Sequence, residues 1–387
     1  MNKNLKIAIY SGDIPSTTFI ERLIVGLSGR NCHIFLFGFI KHKVSYNKSI
    51  SVFAYKNTKF HKAIYLLKYS SLLFLFKNKK KRKLDNILKK KSKNLLLDKV
   101  KCYPVLWHKP DIFHVQWAKG IGDWVWVKEF GIKLVLSLRG AHINYSPIAD
   151  QALANMYKEQ FPKVDAFHAV SKAIGKEAGK YGASKDKVIV VYSGVPKRVE
   201  TLIKPKQNSF FKIISIGRPH WVKGYSSALD SCKLLKEKGL EFQYTIVGGK
   251  EEIELAYQVH DLNLENEVIL LDTLPYSKVQ ENIANSDLLL LPSVKEGIAN
   301  VVLEAMSLNT LVLSTDCGGI TEVIKDGKNG FIVPIRDPEA MANKIIMISD
   351  LQTTEKKEIR EKALKTIVDN HSEQHMADGM LALYKNI

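Results

Sequence analysis

The feature that most constrains the fold of this 387-residue chain is the alternation of short apolar runs with amphipathic, helix-like segments. Apolar runs of this kind, each followed by a helical period, form parallel sheets that helices cover on both faces. The runs are "LKIAIYS", "HIFLFGF", "DIFHVQW", "KLVLSLRG", "DAFHAVS" and "KVIVVYSG", followed by "FKIISIG", "FQYTIVGG", "EVILLD", "DLLLLPS", "TLVLSTD" and "GFIVP". The sequence therefore predicts an α/β fold.

The alternation is interrupted once, at "GVPKRVETLIKPKQNS" (194–209), which has two prolines, several charges and no clear period. A chain of 387 residues is also longer than one hydrophobic core usually serves. We therefore predict two α/β domains, one over residues 1–196 and the other over residues 197–370.

Cysteine use and hydropathy narrow the cellular context. The four cysteines lie far apart and form no CxxC pair, which argues against a disulfide framework and a zinc site. The first residues lead directly into an apolar run, so we expect no cleavable signal peptide. No apolar run reaches the roughly 18 to 20 residues that span a bilayer. These features predict a cytoplasmic protein.

The charge distribution is less ordinary, because 58 Lys and Arg residues outnumber 39 Asp and Glu residues and give a net charge of +19. Residues 64–93 join the apolar "IYLLKYSSLLFLF" to "KNKKKRKLDNILKKKSK", which holds ten cations. This pairing suits a segment that lies on an anionic membrane surface. A solvated basic helix is the alternative. Nucleic-acid binding is disfavoured, because the other cations are scattered and no nucleic-acid motif occurs.

Two loops of the second half carry residues suited to an anionic ligand. Ligands of doubly wound sheets bind beyond the carboxyl ends of the strands. In "SIGRPHWVKG", Arg218 and Lys223 stand where a phosphate binds at a helix N-terminus. In "TIVGGKEE", Gly248 and Gly249 leave room for a ligand close to the backbone.

A third loop, "KEGIANVVLEAM" (295–306), places two acids eight residues apart. We predict that Asn300 caps a helix whose first amides face the same pocket. Glu296 would precede that helix and Glu304 would lie one turn inside it. The two acids are then placed to reach opposite ends of one elongated ligand, although ordinary surface acids remain the alternative.

Four stretches of the second half resemble the nucleotide-sugar domain of family 4 glycosyltransferases in order and spacing. They are "SIGRPHWVKGY", "YTIVGG", "SDLLLLPSVKEGIANVVLEAM" and "STDCGGITEVIKDGKNGFIVP". The resemblance is dense over residues 211–345 and looser over the first 200. It implies the GT-B fold of two facing Rossmann-like domains, and a C-terminal helix at about 371–387 that packs back on the first domain.

The resemblance also implies a role for each matching residue. Arg218 and Lys223 match the cations that hold the donor diphosphate and stabilise the departing nucleotide. Glu304 matches the acid that binds the ribose hydroxyls, and Glu296 matches the acid near the donor sugar. Three backbone amides match those that contact a phosphate, namely those of Asn300, Val301 and Val302.

The first half resembles the family less closely. Gly12 and Asp13, in "GDIPSTTFIERLIVGL", begin a glycine turn and helix like the first loop of the family. Arg139 stands where many members have a histidine; a cation there suits a diphosphate, but a histidine base is not implied. His142 lies close by in sequence, so it is a candidate on the acceptor or sugar side. His114 is another, although a buried, hydrogen-bonded histidine at a strand end is the simpler interpretation.

The sequence predicts neither a metal ion nor another cofactor. No D-x-D motif and no His/Cys cluster with ligand spacing occurs, so basic residues and helix N-termini would have to neutralise a diphosphate. The resemblance implies transfer of a hexosyl unit from a nucleotide diphosphate sugar to a hydroxyl, with retention of configuration. The expected acceptor is a surface polysaccharide or a lipid-linked saccharide at the inner face of the cell membrane.

Two other classes of function stay open. A nucleotide-sugar epimerase or hydrolase has the same fold, but it needs acid–base residues of which the sequence shows no clear set. A catalytically idle, membrane-associated nucleotide-sugar-binding module is the other. The presence of Arg218, Lys223 and Glu304 argues against such decay.

Overall fold

The computed structural model describes residues 4–196 and 210–387, which form two compact units. Unit 1 comprises Met1–Gly194 together with Glu373–Ile387, and unit 2 comprises Val195–Ser372. The boundaries expected from the sequence, at 196/197 and near 371, lie within two residues of these divisions. Most of the charged interdomain stretch, residues 197–209, lies outside the described residues.

Unit 1 is built on a seven-stranded sheet in which every pair of neighbouring strands is parallel. The order β3-β2-β1-β4-β5-β6-β7 reverses between β1 and β4. Six of these strands confirm the six apolar runs of the first half, and β3 was not predicted. The strands are β1 (Leu5–Ile14), β2 (Cys32–Ile40), β3 (Ile50–Lys56), β4 (Ile112–Val115), β5 (Lys133–Leu138), β6 (Ala166–Ala169) and β7 (Val188–Val190).

Unit 2 is built on a six-stranded parallel sheet. Its order, β10-β9-β8-β11-β12-β13, reverses between β8 and β11, and all six strands confirm predicted runs. Ligands of such sheets bind where the strand order reverses, beyond the carboxyl ends of the strands. The strands are β8 (Phe211–Ile216), β9 (Phe242–Val247), β10 (Val268–Leu271), β11 (Leu288–Leu291), β12 (Leu311–Thr315) and β13 (Phe331–Val333).

Helices follow most strands, as a doubly wound topology requires. Those of the first stretch of unit 1 are α1 (Thr18–Leu27), α2 (Lys59–Lys91), α3 (Leu95–His108), α4 (Ile121–Trp124), α5 (Gly140–Asn144), α6 (Ser146–Ala149), α7 (Gln151–Gln160) and α8 (Lys172–Gly179). Unit 2 contributes α9 (Tyr225–Glu237), α10 (Ile253–Asp261), α11 (Tyr276–Ala284), α12 (Asn300–Ser307), α13 (Pro338–Asp350) and α14 (Thr353–Asn370), and the chain ends with α15 (Glu373–Lys385) in unit 1.

The sheets are covered on both faces, which explains why their strands read as continuous apolar runs. Successive side chains of a strand point to opposite faces. In β1, Ile7 and Ile9 therefore belong to the core under α1 and α15, while Ala8 belongs to the core on the opposite face. All three are at most 2% exposed. The predicted α/β architecture is confirmed, and its cause is this two-sided burial.

The C-terminal helix α15 packs against α1 in unit 1. A Cβ atom at Gly26 would lie 3.2 Å from the Cβ of Ala377, so the two helices approach closely at a residue that has no side chain. Ala377 and Met380 are fully buried. Arg22 adds an ion pair to Glu373 at 4.0 Å.

The basic segment lies in α2, which has non-helical dihedral angles at Lys77. Tyr69, Leu73, Leu84 and Leu88 of this helix are buried in the core of unit 1. The inner face of α2 is therefore buried, while all ten cations of the basic run are exposed or half-buried, so a solvated basic helix stays the alternative to membrane binding. Among the residues that the structure describes, no helix is long and apolar enough to cross a membrane.

Candidate functional site

The loops that follow β8 and β11 are joined where the strand order of unit 2 reverses. The Val294 amide donates to the Val222 carbonyl at 2.7 Å. Gly224 has φ +68°, and a Cβ atom there would collide with the Pro292 carbonyl. Only glycine tolerates both this conformation and this close approach. The sequence thus joins two loops that lie some 70 residues apart, and it brings their side chains together.

Lys223 and Glu296 form an ion pair across this junction. Lys223 Nζ lies 2.7 Å from Glu296 Oε1, and the two side chains are 24% and 17% exposed. Ser293 Oγ donates to the same carboxylate oxygen at 3.2 Å. The Glu296 amide donates to the Cys317 carbonyl at 2.7 Å, which holds the backbone in place. The interpretation of Glu296 as a loop surface acid is therefore wrong.

The carboxylate of Glu296 also affects the pKa values of two neighbouring side chains. Burial, with a smaller contribution from the charge of Glu296, raises the pKa of the Cys317 thiol to about 11. The same two causes raise the pKa of the Tyr225 hydroxyl above its usual range. Both side chains therefore stay neutral, which leaves Lys223 and Glu296 as the charged pair at this point.

The glycines of the loop after β9 act differently from the prediction. Gly248 has φ +96°, and a Cβ atom there would lie 3.1 Å from the Gly217 carbonyl. A Cβ atom at Gly249 would lie 3.1 Å from Ile246 Cγ2, inside the core of unit 2. The space that the two glycines leave is thus filled by the protein's own atoms. It lets the β9 loop pack against the loop that presents Arg218, whose side chain is exposed.

Helix α12 begins one residue earlier than a cap at Asn300 requires. Its N-cap is Ala299, so Asn300 is the first helical residue, and the prediction that Asn300 caps the helix is wrong. Within the described ranges, Asn300 Oδ1 is buried and has no hydrogen-bond partner. The Val302 amide donates to the Ala299 carbonyl at 3.0 Å, whereas those of Asn300 and Val301 precede the first helical hydrogen bonds.

Glu304 lies one turn inside α12 and is only 8% exposed. Its neighbours from Val302 to Ser307 are buried as well, because α12 packs into unit 2 on nearly every side. Glu304 therefore does not lie on a solvated face of the helix. A carboxylate is rarely buried to this extent unless a specific interaction holds it.

At the corresponding point of unit 1, the predicted glycine turn is a bulge within a longer strand. β1 continues through Gly12 and Asp13 to Ile14, and its pairing with β2 shifts register between Ile9 and Gly12. Gly12 has φ +94°, and a Cβ atom at Gly38 would collide with its carbonyl. The prediction that Gly12 begins a turn after the strand is therefore wrong, because Gly12 lies in a bulge within β1. The Asp13 carboxylate forms an ion pair with Lys41, and helix α1 follows as expected.

Arg139 lies directly after β5 and contacts two residues that the sequence had not indicated. Its Nη2 donates to Gln116 Oε1 at 2.9 Å, and its guanidinium carbon lies 4.6 Å from the centre of the Phe19 ring. Burial lowers the pKa of Arg139 to about 10, so the side chain stays cationic at neutral pH. The ring of His142 lies 5.5 Å from that of Trp117, and burial lowers the pKa of His142 to about 4.

His114 is fully buried, and both of its ring nitrogens are occupied. Nδ1 lies 2.6 Å from Tyr384 Oη, and Nε2 lies 2.8 Å from Ser137 Oγ. Burial lowers its pKa well below the usual range. This geometry agrees with the buried, hydrogen-bonded interpretation, because no surface of His114 is left to contact a saccharide.

The sequence alone did not indicate Gln116, Trp117 and Phe19. Their contacts with Arg139 and His142 join different elements of the fold, so no local pattern reveals them. A signal for the position of Gln116 and Trp117 was present in "HVQW", since polar or aromatic residues that directly follow a buried strand lie at the ligand-binding edge of the sheet. In residues 4–196 and 210–387, no group of three or more His, Cys, Asp or Glu side chains is placed to hold a metal ion.

Two family models together match almost the whole chain. Residues 198–383 match the model described as Glycosyl transferases group 1, and residues 19–198 match the one described as Glycosyltransferase Family 4. The chain belongs to glycosyltransferase family 4. The resemblance seen in its four motifs is thereby confirmed.

Relatives of this glycosyltransferase carry names from exopolysaccharide synthesis. It is 26% identical over 299 residues to the "Putative colanic acid biosynthesis glycosyltransferase WcaL" of Escherichia coli (strain K12), with 73% of this chain and 72% of that protein aligned. It is 26% identical over 262 residues to the "Amylovoran biosynthesis glycosyltransferase AmsK" of Erwinia amylovora. That alignment covers 65% of this chain and 63% of the relative, which is less than two thirds of its length.

Solved glycosyltransferase structures share the fold. Anabaena Alr3699/HepE, crystallised with UDP and glucose, superimposes with a TM-score of 0.74 at 18% identity, over 99% of this chain and 100% of that one. A glycosyltransferase from Rickettsia africae gives a TM-score of 0.68 at 18% identity, over 100% and 99%. The expected GT-B fold is confirmed by these similarities.

Proposed function

We propose that this glycosyltransferase transfers a hexosyl unit from a nucleotide diphosphate sugar to a hydroxyl of a surface polysaccharide or lipid-linked saccharide, with retention of configuration. The observation that carries the proposal is the Lys223–Glu296 pair, 2.7 Å apart where the strand order of unit 2 reverses. Buried Glu304 lies on the helix that follows the same loop. The acid that we assign to the ribose, the cation for the leaving phosphate and the acid for the sugar would thus belong to one unit.

The charges of the site suit loss of a nucleoside diphosphate. Negative charge grows on the leaving phosphate as the glycosidic bond breaks, and fixed cations and helix amides stabilise it. Lys223, Arg218 and the first amides of α12 would supply that stabilisation without a metal ion. Glu296 would stabilise the oxocarbenium-like sugar. The acceptor oxygen then bonds to the anomeric carbon on the face from which the phosphate departs, and a leaving-phosphate oxygen takes the acceptor's proton. Attack on that same face retains the configuration.

The proposal for the acceptor draws on relatives. Two are named for the biosynthesis of colanic acid and amylovoran, and a third, from Campylobacter jejuni, for transfer to N,N'-diacetylbacillosaminyl-diphospho-undecaprenol. An acceptor of the third kind is attached to a lipid. A glycosyltransferase that uses such an acceptor works at the inner face of the cell membrane, where a cytoplasmic protein needs a membrane-binding surface.

Helix α2 has the properties of that surface. Its outward apolar side chains are between 51% and 72% exposed, namely Phe60, Ile64, Leu67, Phe74, Leu75 and Phe76. Exposed Lys79, Lys80 and Arg82 follow directly. Apolar side chains that insert among lipids, next to cations that meet anionic headgroups, describe an interfacial helix.

Not every cation of the segment is available for lipid. Lys81 pairs with Asp85 at 2.9 Å and Lys83 with Glu129 at 3.0 Å, so both are engaged within unit 1. A test of membrane binding therefore replaces the exposed cations by glutamine, namely Lys79, Lys80, Arg82, Lys89 and Lys90. Each contributes about 1 kcal/mol near an anionic surface, so the variant should no longer sediment with anionic liposomes at low salt.

The control matches the change in net charge and replaces five exposed lysines of unit 2 by glutamine, namely Lys325, Lys328, Lys357, Lys362 and Lys365, of which the last three pair with acids of their own helix. Its net charge changes equally, and its sedimentation with anionic liposomes should stay close to that of the natural protein. Equal sedimentation of the two variants would leave α2 without a special role. Sedimentation with neutral liposomes would point to apolar insertion alone.

The transferase itself is tested in two stages. A thermal-shift screen with UDP, GDP, ADP, CMP and their sugars identifies the donor, because a ligand that binds only the folded chain raises Tm. Turnover of that donor is then measured with and without a saccharide acceptor, and the anomeric configuration of the product is read by NMR. Turnover without transfer would favour a hydrolase or epimerase, and binding without turnover would favour an idle binding module.

A further inference from the structure

A cavity of about 370 Å³ lies on unit 2 beside the loop that follows β8. The first turns of α9 and α10, the loop after β11 and the turn before α13 surround it. A cavity of this size is large enough for a small ligand. Its lining includes an indole, two hydroxyls, two carboxylates and a guanidinium, namely those of Trp221, Ser226, Ser227, Glu252, Glu254 and Arg336.

The cavity is separate from the site of the Lys223–Glu296 pair. Its lining includes none of the charged residues proposed to bind the donor, namely Arg218, Lys223, Glu296 and Glu304. Trp221 and Lys223 belong to one 3₁₀ turn, in which residues two positions apart point in different directions. The turn therefore presents Lys223 to Glu296 and Trp221 to the cavity, although their Cα atoms are at most about 8 Å apart.

Hydrogen bonds of unit 2 itself hold the walls of the cavity. Gln258 Nε2 of α10 donates to the Ser226 carbonyl at 3.1 Å, which fixes α10 against the first turn of α9. The bond from the Val294 amide to the Val222 carbonyl, at 2.7 Å, fixes the loop that carries Trp221. The cavity is therefore preformed, and a ligand does not have to order it on binding.

Trp221 gives the cavity an exposed aromatic face. It is 58% exposed, whereas tryptophan side chains are on average highly buried. The face of an aromatic ring carries partial negative charge. It therefore attracts the C–H groups of a pyranose face, which are partially positive, and stacking of the two faces removes apolar surface from water.

The other side chains of the cavity determine which ligands suit it. Glu252 and Glu254 disfavour a phosphate or another anion, and Arg336 disfavours a cation. Carboxylates accept hydrogen bonds, the guanidinium donates them, and the two serine hydroxyls do both. A neutral ligand that is rich in hydroxyls satisfies such a set, because each of its hydroxyls also donates and accepts.

We propose that this cavity is a saccharide-binding site outside the donor site, in which Trp221 stacks on a neutral pyranose whose hydroxyls are bound by Glu254 and Arg336. The saccharide belongs either to the acceptor or to the transfer product, and this source rests on the proposed transferase function. Binding itself needs no turnover. A saccharide held here lies close to Lys223 without occupying the nucleotide site.

The test measures the binding of free sugars to the full chain by saturation-transfer NMR titration. The probes are the methyl glycosides of glucose, galactose, mannose and N-acetylglucosamine. Each titration is repeated with the nucleoside diphosphate that raises Tm, and the affinity should not change, because the two sites are separate. The first titration contains no nucleotide, so a failure of the proposed donor binding leaves it intact.

Replacing Trp221 by alanine should weaken glycoside binding by about ten-fold, since a stacked aromatic contact is lost. The matched control is Tyr257→Ala, because Tyr257 is a 67% exposed aromatic residue of α10 that does not line the cavity. It should change the affinity less than about two-fold.

A second variant, Glu254→Gln, leaves the loop of Trp221 unchanged and keeps the test informative if Trp221→Ala lowers Tm. It should weaken binding about three-fold or more, because a hydrogen-bond acceptor loses its charge. Its matched control is Glu339→Gln, since Glu339 is also an exposed acid in the first turn of a helix, but lies outside the cavity lining.

Four results would overturn the proposal. They are no binding by any of the four glycosides, equal affinities of Trp221→Ala and the natural protein, and competition by the nucleoside diphosphate, which would assign the sugars to the donor site. The fourth is a dimer in analytical ultracentrifugation that Trp221→Ala dissociates, because Trp221 would then be an interface residue.

Kinetics identify the source of the saccharide once turnover is established. A raised KM for the acceptor in Glu254→Gln assigns the saccharide to the acceptor, and weaker product inhibition assigns it to the product. Unchanged values of both would overturn the link between this cavity and transfer. Turnover of the donor without transfer would contradict the transferase proposal alone, since glycoside binding is measured independently of it.

Discussion

Replacing Lys223 by methionine should separate the structural role of the Lys223–Glu296 pair from its role in transfer. The pair is 2.7 Å long and its side chains are 24% and 17% exposed, so it lies between a surface pair and a buried one. Surface pairs contribute about 0–1 kcal/mol, and breaking a buried pair costs about 3–5 kcal/mol. We therefore expect Lys223→Met to reduce stability by about 1–2 kcal/mol, because the Glu296 carboxylate then keeps, among the described residues, only its hydrogen bond from Ser293.

For a unit of this size that loss corresponds to a Tm decrease of about 2–8 °C. Transfer should suffer far more, because removal of a fixed charge from a developing anion lowers kcat about 100- to 1,000-fold. The assay measures nucleotide release from the donor that the thermal-shift screen identifies, together with Tm by calorimetry.

The double variant Lys223→Met/Glu296→Gln tests the reasoning. Since the unpaired carboxylate is gone, most of the lost stability should return, whereas kcat should stay low. The matched control is Lys236→Met, because Lys236 pairs with Glu267 at 3.0 Å with similar exposure and lies outside the site. It should lower Tm comparably and leave kcat unchanged. Recovery of kcat together with Tm in the double variant would refute a direct role for Lys223 in the reaction.

Three other predictions address the nucleotide, the metal and the pH. Glu304→Gln should weaken nucleotide binding by about ten-fold or more in calorimetry, since the buried carboxylate that we propose to bind the ribose hydroxyls loses its charge; unchanged affinity would remove the ribose assignment. Activity should survive EDTA, and complete loss that Mg²⁺ or Mn²⁺ restores would contradict a metal-free site. Burial lowers the pKa of His168 to about 3, below its value of about 6.5 in the unfolded chain, so the unfolded chain binds more protons between these values and stability falls as pH decreases through that window. His168→Gln should make this decline, measured by urea unfolding at pH 7.5, 6.0 and 5.0, shallower by up to about 1.4 kcal/mol per pH unit, and an unchanged slope would contradict the assignment.

The strands were predictable because their cause is local. Twelve runs with apolar side chains on both faces became twelve strands, since two-sided burial leaves its pattern in the sequence itself. β3 was missed because it lies at the edge of the sheet, where burial is incomplete. Val52 is 39% exposed, and Ser51 interrupts the apolar residues of "ISVFAYK", so the apolar pattern is weaker than in the predicted strands. Its position depends on β2, which the sequence of β3 does not encode.

The contacts of the site were only partly predictable. Arg218, Lys223, Glu296 and Glu304 could be proposed from the sequence because they belong to motifs that lie after strands. The pairing of Lys223 with Glu296 joins residues 73 positions apart, and that of Tyr384 with His114 joins residues 270 positions apart. Propensity and periodicity extend over a few residues, so they contain no information about such partners. The cap at Asn300 failed for a smaller reason, because helix ends shift by one residue with little change in local energy.

The two units differ in the charges that they place where the strand order reverses. In unit 2 the cation at the reversal, Lys223, already has a carboxylate partner, so an incoming phosphate must displace or share that partner. In unit 1 Arg139 contacts the neutral oxygen of Gln116 and the Phe19 ring, and no carboxylate of the described residues pairs with it, so its charge is not compensated there. The Coulomb attraction between a phosphate and Arg139 is therefore stronger than that between a phosphate and the paired Lys223. Unit 2, in contrast, offers both a cation and a carboxylate, which can respond to charges of either sign. A site whose charges are balanced before the reaction binds the ground state modestly and can favour the transition state. In the reaction that we propose, negative charge grows on the phosphate beside Lys223 and positive charge grows on the sugar beside Glu296.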